Sequence, residues 1–188
     1  MPPDPAMFVL NQKLMSLSGD LWIEDAQGNN AFEVDGKAFT LRRTLLLLDL
    51  QGTQLYAIGQ SLAHLHRTFE IKHDDTIVAT IQEALLNFLG DHFTISLADG
   101  SELSVQGNWM DREFRVSRAG SDVIVASRKW LTVHDAYGIQ IDPGFETPLA
   151  LAIVVALEQM ELQGHDHNAG LNMGGMLGGT VGGNLPGF

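Results

Sequence analysis

The chain has 188 residues, 45% hydrophobic and 18% charged, with 23 acidic against 11 basic side chains and a formal net charge of -12. That length supplies one domain with a real core and little room for a second, and the composition excludes a disordered chain. The acidic balance opposes binding to nucleic-acid phosphates, and the absence of cysteine excludes disulfides, thiolate metal sites and cysteine nucleophiles.

Residues 1–6 form an N-terminal extension. Met1-Pro2-Pro3-Asp4-Pro5 offers neither a basic region nor an apolar run, so no secretory signal is expected and a cytoplasmic location follows by default. From Phe8 to Ile141 the chain reads as short alternating apolar runs broken by turn residues. Leu21-Trp22-Ile23-Glu24 runs into Asp25 and Gly28, and Ala31-Phe32-Glu33-Val34 into Asp35-Gly36. The run from Leu45 to Leu50 meets a break at Asp49 and Gly52, and Thr68-Phe69-Glu70-Ile71 meets His73-Asp74-Asp75. Phe93-Thr94-Ile95-Ser96-Leu97 is followed by Asp99-Gly100, Phe114-Arg115-Val116 by Ala119-Gly120, and then comes Val123-Ile124-Val125. Aspartate–glycine breaks between alternating runs are a hairpin signal, and strands at roughly ten-residue intervals argue for an antiparallel sandwich or barrel. A weak echo joins Gln12-Lys13-Leu14, Gln60-Ser61-Leu62 and Gln82-Glu83-Ala84, each leading into a new run. Its irregular spacing fits a repeated barrel-closing unit better than a solenoid. The basic cluster Arg112, Arg115, Arg118, Arg128 and Lys129 is interleaved with Asp111, Glu113 and Asp122, which reads as a solvated strand face.

The pattern changes at Thr147-Pro148, where threonine is a good N-cap and proline suits the first helical turn. Residues 149–157 are apolar on every side: Leu149, Ala150, Leu151, Ala152, Ile153, Val154, Val155, Ala156 and Leu157. A helix over about 147–161 with no polar face is either a membrane span or buried all round. Nine residues fall well short of the ~20 that a span needs. The remaining solution is a helix enclosed by the sheet, and a closed barrel supplies that enclosure while removing exposed sheet edges. The barrel domain is therefore expected over residues 7–163. After Gln163, residues 164–188 are rich in glycine and methionine with one charge, Asp166, and read as a flexible tail.

These pieces resemble a known family. Asn11-Gln12-Lys13-Leu14 with Ser16-Leu17, then Val34-Asp35-Gly36-Lys37-Ala38-Phe39, Ser127-Arg128-Lys129-Trp130 and Asp135-Ala136-Tyr137-Gly138-Ile139 stand in the order found in LURP-one-related proteins. The resemblance runs from about Met7 to Met160, and its most specific element is the run from Val34 to Phe39. It implies a closed antiparallel barrel of about twelve strands around a central hydrophobic C-terminal helix, the fold shared with the Tubby C-terminal domain and the phospholipid scramblases. For those relatives it implies phosphoinositide binding by surface cations and association with lipid movement. No binding residue is carried over, since the Tubby lipid-binding motif has no residue-by-residue match here.

Candidate chemistry is sparse. Lys37, Arg128 and Lys129 lie in the family motifs and are the candidates for receiving a phosphate or lipid headgroup. Their competing reading is structural, with Lys37 behind an Asp-Gly turn and Arg128 and Lys129 alternating about the sheet. His165 and His167, around Asp166, are the candidate metal ligands, although one short string supplies at most three donors without a preset geometry. A polar exit from the helix explains the same string. His64 and His66, with His92 or His134, read as surface or cap histidines. Neither Ser16 nor Ser127 has a local nucleophile motif, no phosphate-cradling glycine loop precedes a helix, and no carboxylate pair is marked out for acid–base work. No catalytic residue and no cofactor are therefore expected.

The expectation is a non-enzymatic binding or tethering module that recognises a phospholipid headgroup or a protein partner, with no nucleic acid and no transmembrane span. The alternatives are a hydrolase-like site at the barrel mouth and lipid scrambling through the C-terminal helix, whose apolar face is Leu149, Leu151, Ile153, Val154, Val155 and Leu157. Apolar residues spaced between glycine pairs after Met173 make the tail a second, adaptable contact. Sequence leaves the oligomeric state open.

Overall fold

Alternation of apolar and polar side chains produces strands, and here it produces twelve of them. A computed structural model describes residues 4–11, 21–36, 44–61, 67–83, 91–108, 113–128 and 136–174. The strands are β1 (Ala6–Asn11), β2 (Leu21–Asp25), β3 (Asn30–Asp35), β4 (Thr44–Leu48), β5 (Gln54–Gln60) and β6 (Thr68–His73). They continue as β7 (Thr76–Glu83), β8 (Asp91–Leu97), β9 (Glu102–Asn108), β10 (Glu113–Arg118), β11 (Ser121–Ser127) and β12 (Ala136–Ile141). Each strand pairs with its neighbours in sequence, and β1 pairs with β12 to close the barrel. All of the pairings are antiparallel. Closure leaves no strand edge open for pairing with another chain.

Side chains two apart share a face of a strand, and the inward face is apolar from strand to strand. Leu45 and Leu47, Phe69 and Ile71, Phe93 and Ile95, and Tyr137 with Ile139 and Ile141 are buried in this way. The two ends of the barrel differ. At one, the turn end, short connections join β2 to β3, β4 to β5, β6 to β7, β8 to β9 and β10 to β11. Three of them share one device. Asp25 Oδ1 accepts from the backbone N–H groups of Gln27 and Asn29, both at 2.9 Å. Asp49 Oδ1 accepts from Gln51 at 2.9 Å and Thr53 at 2.8 Å, and Asp99 Oδ1 accepts from Ser101 N–H at 2.9 Å. Glycine then takes the positive φ that ends the turn, +81° at Gly28 and +78° at Gly52.

The chain re-enters the barrel at this turn end. After β12, a turn with Phe145 N–H donating to Asp142 O at 2.9 Å leads into α1 (Thr147–Gly174). Residues 150–160 are each exposed by 7% or less. A barrel of about eight strands is just filled by its own side chains; twelve strands leave room for a helix, whose diameter with side chains is about 10–12 Å. The core is thus wall residues on the outside and helix residues on the axis, with α1 packed nearest β5 and β6.

α1 also exceeds the sequence expectation. It runs to Gly174, thirteen residues past the expected end near residue 161, so the first part of the segment read as tail has helical backbone. Gly164 and Gly170 are isolated glycines in good helix-forming surroundings, each a cost of only about 1 kcal/mol. The end coincides with the first glycine pair, Gly174-Gly175. The expected Asp35-Gly36 turn is also longer than read, because the β3–β4 connection spans residues 36–43. The echoed segments after Gln12, Leu62 and Ala84 lie outside the described residues, as do 175–188.

Candidate functional site

Strands alternate in direction, so the strand ends of Asn11, Leu21, Asp35, Thr44, Gln60, Thr68, Glu83, Asp91, Asn108, Glu113, Ser127 and Ala136 gather at the end where α1 leaves. This exit end holds the candidate anion-binding region. Arg128 follows β11 directly and is partly buried there. Lys37 and Lys129 lie outside the described residues, although their neighbours Gly36 and Arg128 stand at this end. Sequence reading had no means of bringing the two motifs together; the antiparallel meander does so, because β3 and β11 both finish at the exit end.

One contact at this end was not foreseen. Arg67 precedes β6 and donates through Nη1 to the backbone carbonyl of Met160 at 2.7 Å. Its Nη2 and Nε donate to Glu83 Oε2 at 2.8 and 3.3 Å. One guanidinium therefore ties the rim of β6, the end of β7 and the emerging helix together, as its planar fork allows. No sequence signal singles out this arginine, since its three partners are 16 or more residues away. Just inside the rim, α1 carries two buried polar side chains, Glu158 at 1% and Gln159 at 7% exposure. The apolar run ends at Leu157 in the sequence, but the enclosure continues for three more residues.

The turn end pins the start of the helix. Tyr56 Oη donates to Glu146, at 2.9 Å from Oε1 and 3.0 Å from Oε2. Burial, then the hydrogen bond and charge of Glu146, push the Tyr56 hydroxyl well above its usual pKa, so it stays a donor. The ring of His73 lies against Tyr56 at 5.6 Å, with Nδ1 2.8 Å from the Leu55 carbonyl.

The basic cluster read as a solvated strand face is largely paired. Arg118 Nη2 donates to Asp99 Oδ2 at 2.6 Å and to Ser101 Oγ at 2.5 Å, and Arg115 Nη1 lies 3.8 Å from Asp122 Oδ2. Ser127 Oγ donates to Glu113 Oε1 at 2.8 Å. Among the described residues no group of three histidine, cysteine or acidic side chains is placed to hold a metal ion. His165 and His167 belong to the helical backbone of α1. Positions two apart on a helix are about 200° apart around its axis and do not face each other. His64, His66 and His134 lie outside the described residues.

No helix among the described residues is long and apolar enough to cross a membrane. Leu151, Ile153, Val154, Val155 and Leu157 are fully buried inside the barrel, and Leu149 packs partly buried against the same core.

Comparison with known proteins agrees with this architecture. The family profile described as LURP-one-related matches residues 6–158. A curated relative, "Uncharacterized protein YxjI" of Bacillus subtilis (strain 168), is 26% identical over 159 residues, covering 85% of this chain and 96% of that protein. An X-ray structure of a protein from Arabidopsis thaliana has a similar fold, with a TM-score of 0.65 at 19% identity over 85% of this chain and 93% of that one.

Proposed function

We propose that this chain, which belongs to the LURP-one-related family, is a non-enzymatic binding module that recognises an anionic phospholipid headgroup through its exit end. The observation that carries the reading is the filled axis. Residues 150–160 occupy the space in which a barrel protein would otherwise hold a ligand. Recognition is therefore left to the outer surface and the rims.

Charge favours the exit rim over the turn end. Eight of the eleven Lys and Arg residues fall, by chain position, at or between strand ends of the exit end: Lys13, Lys37, Arg42, Arg43, Arg67, Arg112, Arg128 and Lys129. The turn end carries Asp25, Asp49, Asp74, Asp75, Asp99, Asp122, Asp142 and Glu146. An anionic surface attracts the first end and repels the second, each cation near it contributing about 1 kcal/mol. Lys37, Arg128 and Lys129 are the contacts we assign to the headgroup, and the chain beyond Gly174 supplies a second, weaker contact. Insertion of α1 for lipid scrambling finds no support, because its apolar residues are already enclosed by the barrel.

Vesicle co-flotation tests the proposal with three proteins: the full chain, a chain truncated after Gly174, and a triple variant Lys37→Glu, Arg128→Glu, Lys129→Glu. The full chain is expected to float with phosphatidylserine or phosphoinositide vesicles and to stay down with phosphatidylcholine alone. The triple variant loses flotation and the truncated chain keeps part of it. Flotation that ignores both lipid charge and the triple variant contradicts the reading.

A further inference from the structure

The outer wall at the turn end carries a groove of about 750 Å3 between β11, β12 and the start of β1. That volume lies within the ~300–1,000 Å3 usual for binding sites. Val123 and Val125 form its floor with Pro5 and Pro143, and the Gln140 side chain adds an amide. Val125 pairs with Gln140 across the β11–β12 ladder, so both side chains point away from the core formed by Ile124, Ala126, Ile139 and Ile141. The end wall is the 142–146 turn, which is built firmly: Asp142 N–H donates to Val123 O at 3.0 Å, and Gly144 N–H to Asp142 Oδ1 at 2.8 Å.

The rim is acidic. Asp122 and Asp142 line the groove, no lysine or arginine does among the described lining residues, and the exposed Asp4 adjoins Pro5. The nearby Arg115 is turned towards Asp122 at 3.8 Å. An apolar floor under a negative rim fits a ligand with apolar and cationic groups in alternation. The closed barrel offers no strand edge for main-chain pairing, so such a ligand is held by its side chains and by the Gln140 amide. We infer that this groove is a docking site for an extended peptide segment that alternates apolar with Lys or Arg side chains. It stands at the opposite end of the barrel from the proposed headgroup site, so each is testable without the other.

Fluorescence anisotropy with labelled peptides of about ten residues tests it on the full chain. The probes are an alternating Leu/Lys peptide, an alternating Leu/Glu peptide and an alternating Gly/Lys peptide. The Leu/Lys peptide is expected to bind saturably, and the other two about tenfold or more weaker. Val125→Arg should cost the Leu/Lys peptide about tenfold or more in affinity, whereas Arg128→Glu leaves it unchanged. Where Val125→Arg lowers the melting temperature, Asp122→Lys on the exposed rim provides the second variant. Amide resonance shifts on titration should centre on residues 122–125 and 140–144. Absence of binding overturns the inference, as does equal binding of the Gly/Lys peptide or indifference to both variants. Self-association of the chain that Val125→Arg abolishes also overturns it, by giving the groove to a second copy.

Discussion

Arg67 meets Met160 O and Glu83 Oε2 from one guanidinium, with a side chain only 25% exposed. Hydrogen bonds to charged groups contribute more than neutral ones, so Arg67→Met should lower the unfolding free energy by about 1–3 kcal/mol in urea titration. Tyr56→Phe removes a hydroxyl that donates to Glu146 and should cost about 1 kcal/mol in the same measurement. Three turn aspartates set the acid limit. The Asn29 backbone and side-chain donors hold the Asp25 carboxyl below its usual range, and the Thr53 backbone does so for Asp49. The Ser101 hydroxyl and N–H, with Arg118 beyond them, act likewise on Asp99. Their folded pKa values lie below the unfolded value of about 3.9, so their stabilisation is complete above it and is lost as pH falls through the lowered values. Thermal melts should therefore stay flat in this respect above about pH 5 and fall below about pH 4, with Asp25→Asn and Asp49→Asn variants losing part of that slope. The aspartates were legible as turn residues because Asp-x-x-Gly is a local signal. Arg67 and Tyr56 were not, because their partners are 93 and 90 residues away for Met160 and Glu146.

The apolar helix was the most legible element, since nine residues with no polar face admit few environments. Its enclosed length was not legible: Glu158 and Gln159 are polar, yet the barrel wall extends past them. Nor was its continuation to Gly174, since composition marked a tail from residue 164 while helix propensity tolerates isolated glycines. Among the strands, β6, β8, β10 and β11 were visible as alternating runs with turn signals, whereas β1 and β12 close the barrel through a pairing of residues about 130 apart. Leu151→Ala removes a fully buried side chain on the axis and should cost about 2–5 kcal/mol, read as a lower urea midpoint at unchanged slope. Gly107 is needed in β9 for space as well as conformation. Its φ is +139°, and an added Cβ would stand 2.6 Å from Phe114 Cα and closer to the Glu113 carbonyl. Gly107→Ala should therefore disrupt the β9–β10 ladder and lower the melting temperature more than substitution at the open turn position Gly52, where a Cβ meets nothing within 4 Å.

At the scale of the whole molecule, a sheet closed by its own termini surrounds a helix delivered from the turn end, and charge is distributed unequally along that axis. The candidate cations were legible as motif residues but not as a group, because only the up-and-down order of strands brings the ends of β3 and β11 to one rim. The fold thus acts as a rigid scaffold that recognises partners from outside, with α1 as a permanent part of the core and not an insertable segment. Hydrogen exchange read by mass spectrometry, with and without phosphatidylserine vesicles, tests that claim most directly. The account predicts that amides of residues 150–160 belong to the slowest-exchanging class and stay there when vesicles are added. Faster exchange of those amides on vesicle addition would show the helix leaving the barrel and would contradict it.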